Sequence, residues 1–497
     1  MVEFGERRTI ILLCYINFLI YMNRGIIPGA PESFQTFISR SLGVSIERQN
    51  FYLGLLLSIY VASTMVFSLL FGYLASSRKP FHLITGGMTL WVVAAIVSAI
   101  AKYANNYYLL MLGRVLSGAG EASFMCNAMP FINRNAPQES STLWLGILVI
   151  TMTCGTAGGY VYGSSFAESS LSWAAAFFVE GALMVPAIIM ILTCVPARFN
   201  AIPGADAPLP TRQSDLLTTE DTPPTTKSFG RQLLSIYSTL PFTLLSFGFA
   251  AYTFSLGALS TFSPTLLIGL GFFKNEADAS LLFGAVVAVA GTVGTVLGAI
   301  ILDRRTAAVS FTPAKRCRLA VDMLVQGQAI TLALGAVTIF LTGSKTAFMA
   351  VLGLTYFFMS ALNPIQMVGV MELFPENRQA MAVAANTFVA LAGGDVPAPS
   401  ITGWLKDSWA PRCGTVEILG KSKLNPLCYL DKSGLRDVFI FSILWMGWGL
   451  VFWTMAKFVL GRGKGSDKLD GMVESPAIVS GSESNRPSFI PMGITPR

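Results

Sequence analysis

The sequence predicts an all-α membrane protein in which twelve transmembrane helices form two halves of six. Its 497 residues are 53% hydrophobic and only 12% charged, whereas a soluble domain carries roughly 25% charged residues. At ~20 residues for each crossing of a ~30 Å hydrocarbon core, the chain has room for about twelve helices and their loops. The apolar blocks are also too continuous for the alternation of a membrane β-barrel.

The charge pattern and the cysteine content exclude several classes of function. The net charge is +7, but the basic residues stand singly or in pairs beside apolar blocks, which is typical of the cytoplasmic flanks of membrane helices. No CxxC spacing occurs among the seven cysteines, and His82 is the single histidine. We therefore expect no nucleic-acid partner, no metal, no cofactor and no catalytic residues.

Six apolar blocks make up the N-terminal half, predicted over residues 1–195. The first block, Thr9–Ile27, follows Arg7 and Arg8 and has no small-residue cleavage site after it. We interpret it as a membrane helix and not as a signal peptide, with a cytoplasmic N-terminus. The other five predicted helices are Phe51–Ala75, Leu83–Ala101, Tyr107–Ile132, Leu143–Ser164 and Ser172–Val195.

A polar segment separates this half from a second one. Residues 196–231 are rich in proline, threonine and acidic side chains, a composition that buries too little apolar surface to fold and predicts a disordered cytoplasmic linker. The C-terminal half is predicted over residues 232–460, and residues 461–497 are predicted to be a disordered cytoplasmic tail. Its six predicted helices are Leu240–Leu270, Leu281–Leu302, Leu319–Leu341, Ala347–Met371, Ala380–Leu405 and Val438–Leu460.

The two halves share a spacing that indicates an internal repeat. A glycine near the end of the second predicted helix is followed six and seven positions later by two basic residues, and the eighth helix repeats this spacing. Parallel six-helix repeats around a central site are typical of one large class of transporters. The candidate gating residues at these helix ends are Arg78, Lys79, Asp303 and Arg304.

Charged residues within predicted helices are the strongest indication of a functional site, since each is unfavourable by ~2.5–3.5 kcal/mol at mid-membrane. Arg114 and Glu121 are seven positions apart and share a helix face about two turns apart, so we expect them to line one cavity without touching. Alternatively, such charges pair with a neighbouring helix or reach the membrane interface. The complete set is Arg24, Arg114, Glu121, Glu180 and Asp395.

These charges predict an anion site that is controlled by a proton. Protonation of Glu121 leaves the first half with excess positive charge, and the planar fork of arginine suits phosphate. We therefore predict that Arg24 and Arg114 bind a phosphate headgroup and that Glu121 releases them when it is protonated. The candidate proton-coupling residues are Glu121, Glu180 and Asp395.

Two further features concern packing and the last outer loop. Small residues allow close approach of membrane helices, and we expect this of Gly155, Gly158, Gly159 and Gly163 in the fifth helix. Cys413 and Cys428 lie in the loop between the last two helices, which faces an oxidising lumen or exterior in this topology. The sequence leaves a disulfide and two free thiols equally open.

Several motifs together resemble the Spinster family of the major facilitator superfamily, most closely its plant and protist branch. The resemblance covers nearly every predicted helix and leaves out the linker, the last outer loop and the tail. Its most specific part is the stretch Gly118–Phe124, which reads GAGEASF. The other matching stretches are Tyr21–Gly25, Gly113–Arg114, Pro130–Ile132, Asn135–Pro137, Gly159–Gly163 and Gly394–Pro397.

The resemblance implies a major facilitator fold and a monomeric, proton-linked carrier of lysolipids such as lysophospholipids or sphingosine-1-phosphate. It further implies a lysosomal or vacuolar membrane, with the plasma membrane as the alternative. The family's central polar site falls on Arg24, Arg114 and Glu121, and we add Tyr21 and Asn23 to the predicted substrate site. Asn23 stands where the family usually has an aspartate, which puts proton coupling at that position in doubt. Ser76 likewise replaces an aspartate at the end of the second helix.

Two other functions remain open at this stage. A carrier of small organic anions, such as carboxylates or sugar phosphates, would use the same arginines in a cavity closed to the bilayer. A lipid sensor with a transporter fold would bind lipid without moving it. A membrane-embedded enzyme is disfavoured, because the sequence has neither an HExxH motif nor a GxSxG motif with a partner histidine.

Overall fold

The computed structural model describes residues 4–75, 78–135, 141–200, 229–307, 313–418 and 421–461, which are helical along most of their length. Residues 201–228 of the predicted linker, 462–497 of the predicted tail and Ser76 lie outside these ranges. The helices of the N-terminal half are α1 (Glu6–Gly29), α2 (Pro31–Leu42), α3 (Gln49–Ala75), α4 (Pro80–Tyr103), α5 (Tyr107–Asn135), α6 (Ser141–Glu168) and α7 (Ser172–Cys194).

The C-terminal half repeats this succession of long helices, with additional short elements. Its helices are α8 (Phe229–Tyr237), α9 (Leu240–Gly269), α10 (Glu276–Ala307), α11 (Pro313–Phe340), α12 (Lys345–Met371), α13 (Glu376–Ala390), α14 (Pro397–Trp409), α15 (Lys432–Leu444) and α16 (Met446–Gly461). A two-stranded hairpin, β1 (Thr415–Ile418) and β2 (Lys421–Leu424), precedes α15.

The helix count agrees with the predicted twelve. Ten segments of the described residues are long and apolar enough to cross a membrane, two of them built from the consecutive pairs α13–α14 and α15–α16. Helices α5 and α6, with 29 and 28 residues, have the length of two more. The fold is therefore a nearly all-helical bundle in two halves.

Two outer elements were not predicted from the sequence. Helix α2 is short and ends at Gly43, whose φ of 65° lies in the left-handed region that favours glycine. The hairpin lies in a loop that is closed by a disulfide between Cys413 and Cys428. It reaches from the C-terminal half onto α2, where Arg40 forms an ion pair with Glu417. The loop therefore connects the two halves on the outside of the bundle.

Polar contacts between the halves gather at one end of the bundle, where α1 ends, α3 and α10 begin and α14 ends; we call this the closed end. The Asp407 carboxylate accepts hydrogen bonds from the backbone N–H groups of Asn50 at 3.2 Å and Phe51 at 2.7 Å. The first N–H groups of a helix have no partner within it, so Asp407 caps α3 from the other half. Ser280 Oγ donates to the carbonyl of Gly29 at 2.8 Å.

The predicted glycine contacts join α1 to α6. A Cβ atom at Gly159 would lie 2.8 Å from the Cα of Gly25 and would collide with the carbonyl of Met22. Helix backbones approach this closely only where side chains are absent. Gly158, one position earlier, differs, since its Cβ would meet only the ring of Phe18, at 3.6 Å. The close packing holds α1, and with it the arginine that it carries, at a fixed distance from α6.

Candidate functional site

An ion pair between α1 and α5 lies at the centre of the N-terminal half. Arg24 donates from Nη2 to Glu121 Oε1 at 2.7 Å and from Nε to Oε2 at 3.2 Å, so the guanidinium holds the carboxylate with two parallel hydrogen bonds. Tyr60 of α3 donates its hydroxyl to the same carboxylate. The Glu121 side chain is 2% exposed and that of Arg24 is 26% exposed. The carboxylate is therefore enclosed, while the arginine is partly accessible.

Two aromatic rings flank the accessible arginine. The Arg24 guanidinium carbon lies 5.0 Å from the ring centre of Tyr21 and 5.2 Å from that of Tyr60, within the range of a cation–π interaction. The rings therefore stabilise the positive charge of Arg24 next to the carboxylate. The structure thus brings three of the predicted residues, Tyr21, Arg24 and Glu121, into one cluster and adds Tyr60, which the sequence analysis missed.

Arg114 lies behind this cluster and is only 1% exposed. Its Nη1 donates to Asn23 Oδ1 at 2.8 Å, and Asn23 Nδ2 donates to Glu180 Oε2 at 2.6 Å. Its guanidinium carbon is 4.8 Å from the ring centre of Phe177. In this conformation Arg114 does not face an accessible surface, so its predicted contact with substrate stays a prediction. Arg114 and Glu121 were expected to line one cavity without touching; both are 1% exposed in this conformation, and the shared cavity stays a prediction.

Asp395 brings the C-terminal half to the same region. It ends a π-helical turn, Leu391–Asp395, in which Val396 N–H donates to Leu391 O at 2.9 Å. The following Pro397 has no N–H to donate, and such turns often occur at functional sites. Asp395 is half-buried and close enough to Arg24 for an electrostatic interaction across the halves.

The predicted gating residues have different surroundings. Arg78 and Lys79 are exposed beside the start of α4, and Arg304 is exposed at the end of α10. Asp303 pairs with Arg316 at 3.3 Å, and Arg316 also pairs with Glu372 at 2.9 Å. Arg316 therefore links α10, α11 and α12. The sequence analysis did not identify Arg316.

The closed end contains a second polar cluster that sequence reasoning missed. Lys406 is fully buried and donates to Asn50 Oδ1 at 2.7 Å. Glu276 Oε1 accepts from the backbone N–H of Glu32 at 2.8 Å, and Glu32 Oε1 accepts from Leu424 N–H at 3.1 Å. A lysine and two glutamates next to predicted loops resembled ordinary solvated charges. Only the contact between the halves buries them.

Glu32, on α2 outside the membrane-spanning helices, has a strongly altered acidity. Burial and, to a smaller extent, the nearby charge of Glu168 raise the pKa of its carboxyl group, which lies at about 7. The hydrogen bond from Leu424 N–H and the positive charges of Lys423 and Lys406 act in the opposite direction. Burial dominates because the charged form of a carboxyl group loses its hydration. Closure of this end therefore favours uptake of a proton.

The described residues contain no group of three or more His, Cys, Asp or Glu side chains that could hold a metal ion. The side chains of the central cluster supply charges, hydrogen bonds and exchangeable protons. This arrangement, a partly exposed arginine paired with an enclosed carboxylate, suits an exchange of anions. When a proton neutralises the carboxylate, another anionic group can take its place on the arginine.

Comparison with known proteins identifies the family of this chain. The family model for the Major Facilitator Superfamily matches residues 13–399. The chain is 28% identical over 425 residues to the "Probable sphingolipid transporter spinster homolog 1" of Arabidopsis thaliana, covering 80% of this chain and 82% of that protein. It is 28% identical over 306 residues to "Protein spinster homolog 1" of Homo sapiens, covering 59% of this chain and 54% of the relative. The predicted resemblance to Spinster proteins is confirmed.

Solved structures share the fold. A bacterial homolog to the human lysosomal transporter Spinster, inward-facing and unoccupied, matches with a TM-score of 0.72 and 16% identity, over 92% of this chain and 98% of that one. A D-xylose-proton symporter matches with a TM-score of 0.61 and 14% identity, over 88% of this chain and 96% of that one. The predicted major facilitator fold is confirmed.

Proposed function

Because the chain belongs to the Major Facilitator Superfamily, it is a multi-pass membrane transporter and not an enzyme, and we propose that it carries lysolipids by alternating access, coupled to protons. The substrates are single-chain lipids with an anionic headgroup, such as lysophospholipids or sphingosine-1-phosphate. The names of the Arabidopsis relatives, which refer to sphingolipid transport, support this substrate class.

The ion pair of Arg24 with Glu121 is the observation that carries the proposal. Both hydrogen bonds of the pair use the donors that a phosphate would need, while the arginine stays 26% exposed. An ionised Glu121 therefore competes with the headgroup. Protonation of Glu121 removes its charge and frees the guanidinium for phosphate, which binds arginine through two parallel hydrogen bonds.

Tyr60 gives the exchange a proton-sensitive geometry. Its hydroxyl donates to Glu121 while its ring lies against Arg24. A neutral Glu121 donates its own proton, so the hydrogen bonds around it must rearrange. Asp395, half-buried on the π-helical turn and near Arg24, supplies a further carboxyl group that would respond to the headgroup and to protons.

The proposed membrane is lysosomal or vacuolar, with both termini in the cytoplasm and the closed end towards the lumen. The kinship of one matched structure to a lysosomal transporter supports this location. In this orientation the polar contacts of the closed end lie on the luminal side. Substrate would reach the central cluster from the cytoplasmic side in this conformation and from the lumen in the other.

Uptake into proteoliposomes tests the proposal. Labelled lysophosphatidylcholine, lysophosphatidylethanolamine and sphingosine-1-phosphate are each offered with and without a pH gradient. We expect uptake by the wild type and at least about a tenfold loss with Arg24→Ala, since a charged hydrogen bond contributes about 1.5–3 kcal/mol. Arg48→Ala, an exposed arginine at the start of α3, is the matched control. Glu121→Gln should transport without responding to the gradient.

Three outcomes would overturn the proposal. Uptake of glycerophosphate or another short anion, without competition by long-chain lysolipid, would favour the small-anion carrier. Binding of lysolipid without uptake by folded protein would favour a sensor. A Glu121→Gln protein with an unchanged gradient response would refute the role of this carboxylate in coupling.

A further inference from the structure

A second charge network lies next to the Arg24 cluster and does not contact an accessible surface. It consists of Arg114 on α5, Asn23 on α1 and Glu180 on α7, of which Asn23 and Glu180 are fully buried. Each charge is placed where hydrocarbon or protein surrounds it, which is unfavourable without a partner of opposite sign. The network therefore needs a counter-ion for its arginine.

Glu180 is the carboxylate linked to Arg114, although the two side chains are not hydrogen-bonded to each other. The guanidinium contacts neutral groups: Asn23 Oδ1 at 2.8 Å, Ser98 Oγ at 3.4 Å and the rings of Phe177 and Tyr60. The Asn23 side-chain amide connects the guanidinium to the carboxylate, because its Nδ2 donates to Glu180 Oε2 at 2.6 Å.

An asparagine can bridge a cation and an anion in only one orientation. Its oxygen must face the arginine, which has only donors, and its nitrogen must face the carboxylate, which has only acceptors. Asn23 is thereby fixed on both sides. Because Asn23 and Arg24 are consecutive on one helix, the bridge also fixes the rotation of α1 that directs Arg24 towards Glu121.

We propose that Glu180 is a positioning residue for transport, which holds Arg114 through Asn23 and so sets the orientation of Arg24. This inference rests on the proposed transport function and assigns Glu180 a structural charge in place of a proton-carrying role. Arg114 needs a negative charge close to it, but a carboxylate at another position near Arg114 could supply that charge. An aspartate at 23 would pair with Arg114 directly, and a glutamine at 180 would then donate to that aspartate.

Relocation of the carboxylate tests the proposal. Transport of lysolipid is measured against substrate concentration and pH for the wild type, Glu180→Gln, Asn23→Asp and the double variant. We expect Glu180→Gln to raise the apparent KM at least about tenfold, because an uncompensated buried charge disturbs its surroundings. The double variant should recover most of this loss in apparent KM, and Glu180→Gln by itself should keep its response to a pH gradient. Ser98→Ala, which removes a neutral contact of Arg114, is the control and should change KM little.

Two results would overturn the proposal. If Glu180 carries the transported proton, Glu180→Gln will lose its response to the pH gradient even where it still transports. If Glu180 is merely a packing residue, Glu180→Gln will reduce the amount of folded protein but leave KM unchanged.

Failure of the lysolipid function is distinguishable from failure of this inference. Thermal unfolding of the purified variants follows the charge network whatever the substrate is. Loss of stability in Glu180→Gln with recovery in the double variant would support the network even if the wild type moved no lipid. An equal or greater loss in the double variant would contradict it.

Discussion

Replacing Glu32 by glutamine should reduce the pH dependence of contact between the halves at the closed end. In the closed arrangement Glu32 is 9% exposed, and its Oε1 accepts from Leu424 N–H. Glutamine has the same shape and can accept the same hydrogen bond, while the backbone N–H of residue 32 still donates to Glu276. The substitution therefore changes the titration and preserves the contacts.

The direction and size of the effect follow from the pKa of Glu32, which burial raises from 4.5 to about 7. Between these values the closed state binds a proton that an open, hydrated state releases. The closed state is thus favoured below about pH 4.5 and loses this advantage as the pH rises to about 7. The difference corresponds to about 3 kcal/mol, or an upper limit of about 300-fold in the closed-to-open ratio.

Spin-label distances across the closed end measure this ratio. One label on Arg48 and one on Lys432, both exposed, report the separation of the two halves at pH 4.5–8. We expect the wild type to shift towards the open state with rising pH, Glu32→Gln to shift much less, and the exposed control Glu47→Gln to behave as the wild type. An unchanged pH dependence in Glu32→Gln, or closure favoured by high pH, would refute the reasoning.

Two further predictions concern the outer loop and the packing of α1. Replacing Cys413 and Cys428 by serine should destabilise the outer loop by about 3 kcal/mol, because the crosslink limits the freedom of the unfolded loop; thermal unfolding with and without reductant measures this, and equal transition temperatures would contradict it. Gly159→Ala should destabilise the protein by about 1–3 kcal/mol through the clash with α1, whereas the matched control Gly158→Ala, whose added atom would meet a ring at 3.6 Å, should be nearly neutral. Equal unfolding temperatures of the two alanine variants would contradict the packing argument.

Much of the architecture is predictable from the sequence because membrane insertion is a local property. A run of apolar residues about 20 long has to be a helix in the bilayer, since its backbone groups have no other partners there. This is why the predicted block Leu240–Leu270 coincides with α9, at Leu240–Gly269. The same reasoning selects Arg24, Arg114, Glu121 and Glu180, because a charge inside such a run is unfavourable unless it has a partner.

The partners themselves depend on how the helices pack. Arg24 lies 97 positions from Glu121, and Asn23 lies 157 positions from Glu180. No local pattern distinguishes Tyr60, which completes the ion pair, from the other tyrosines of the chain. Nor does sequence spacing separate the accessible Arg24 from the enclosed Arg114, although the two were predicted to share one role.

The same distinction explains the buried charges of the closed end. Glu32, Lys406 and Asp407 stand beside loops, where a sequence reading expects solvated charges. They become buried because the two halves meet at this end. Asn50 of the N-terminal half, for example, is hydrogen-bonded to Asp407 and Lys406, which lie more than 350 positions further along the chain. The sequence alone determined which segments cross the membrane and which buried charges need partners. Only the tertiary structure decided which charges meet, because pairing and burial arise from contacts between helices that are distant along the chain.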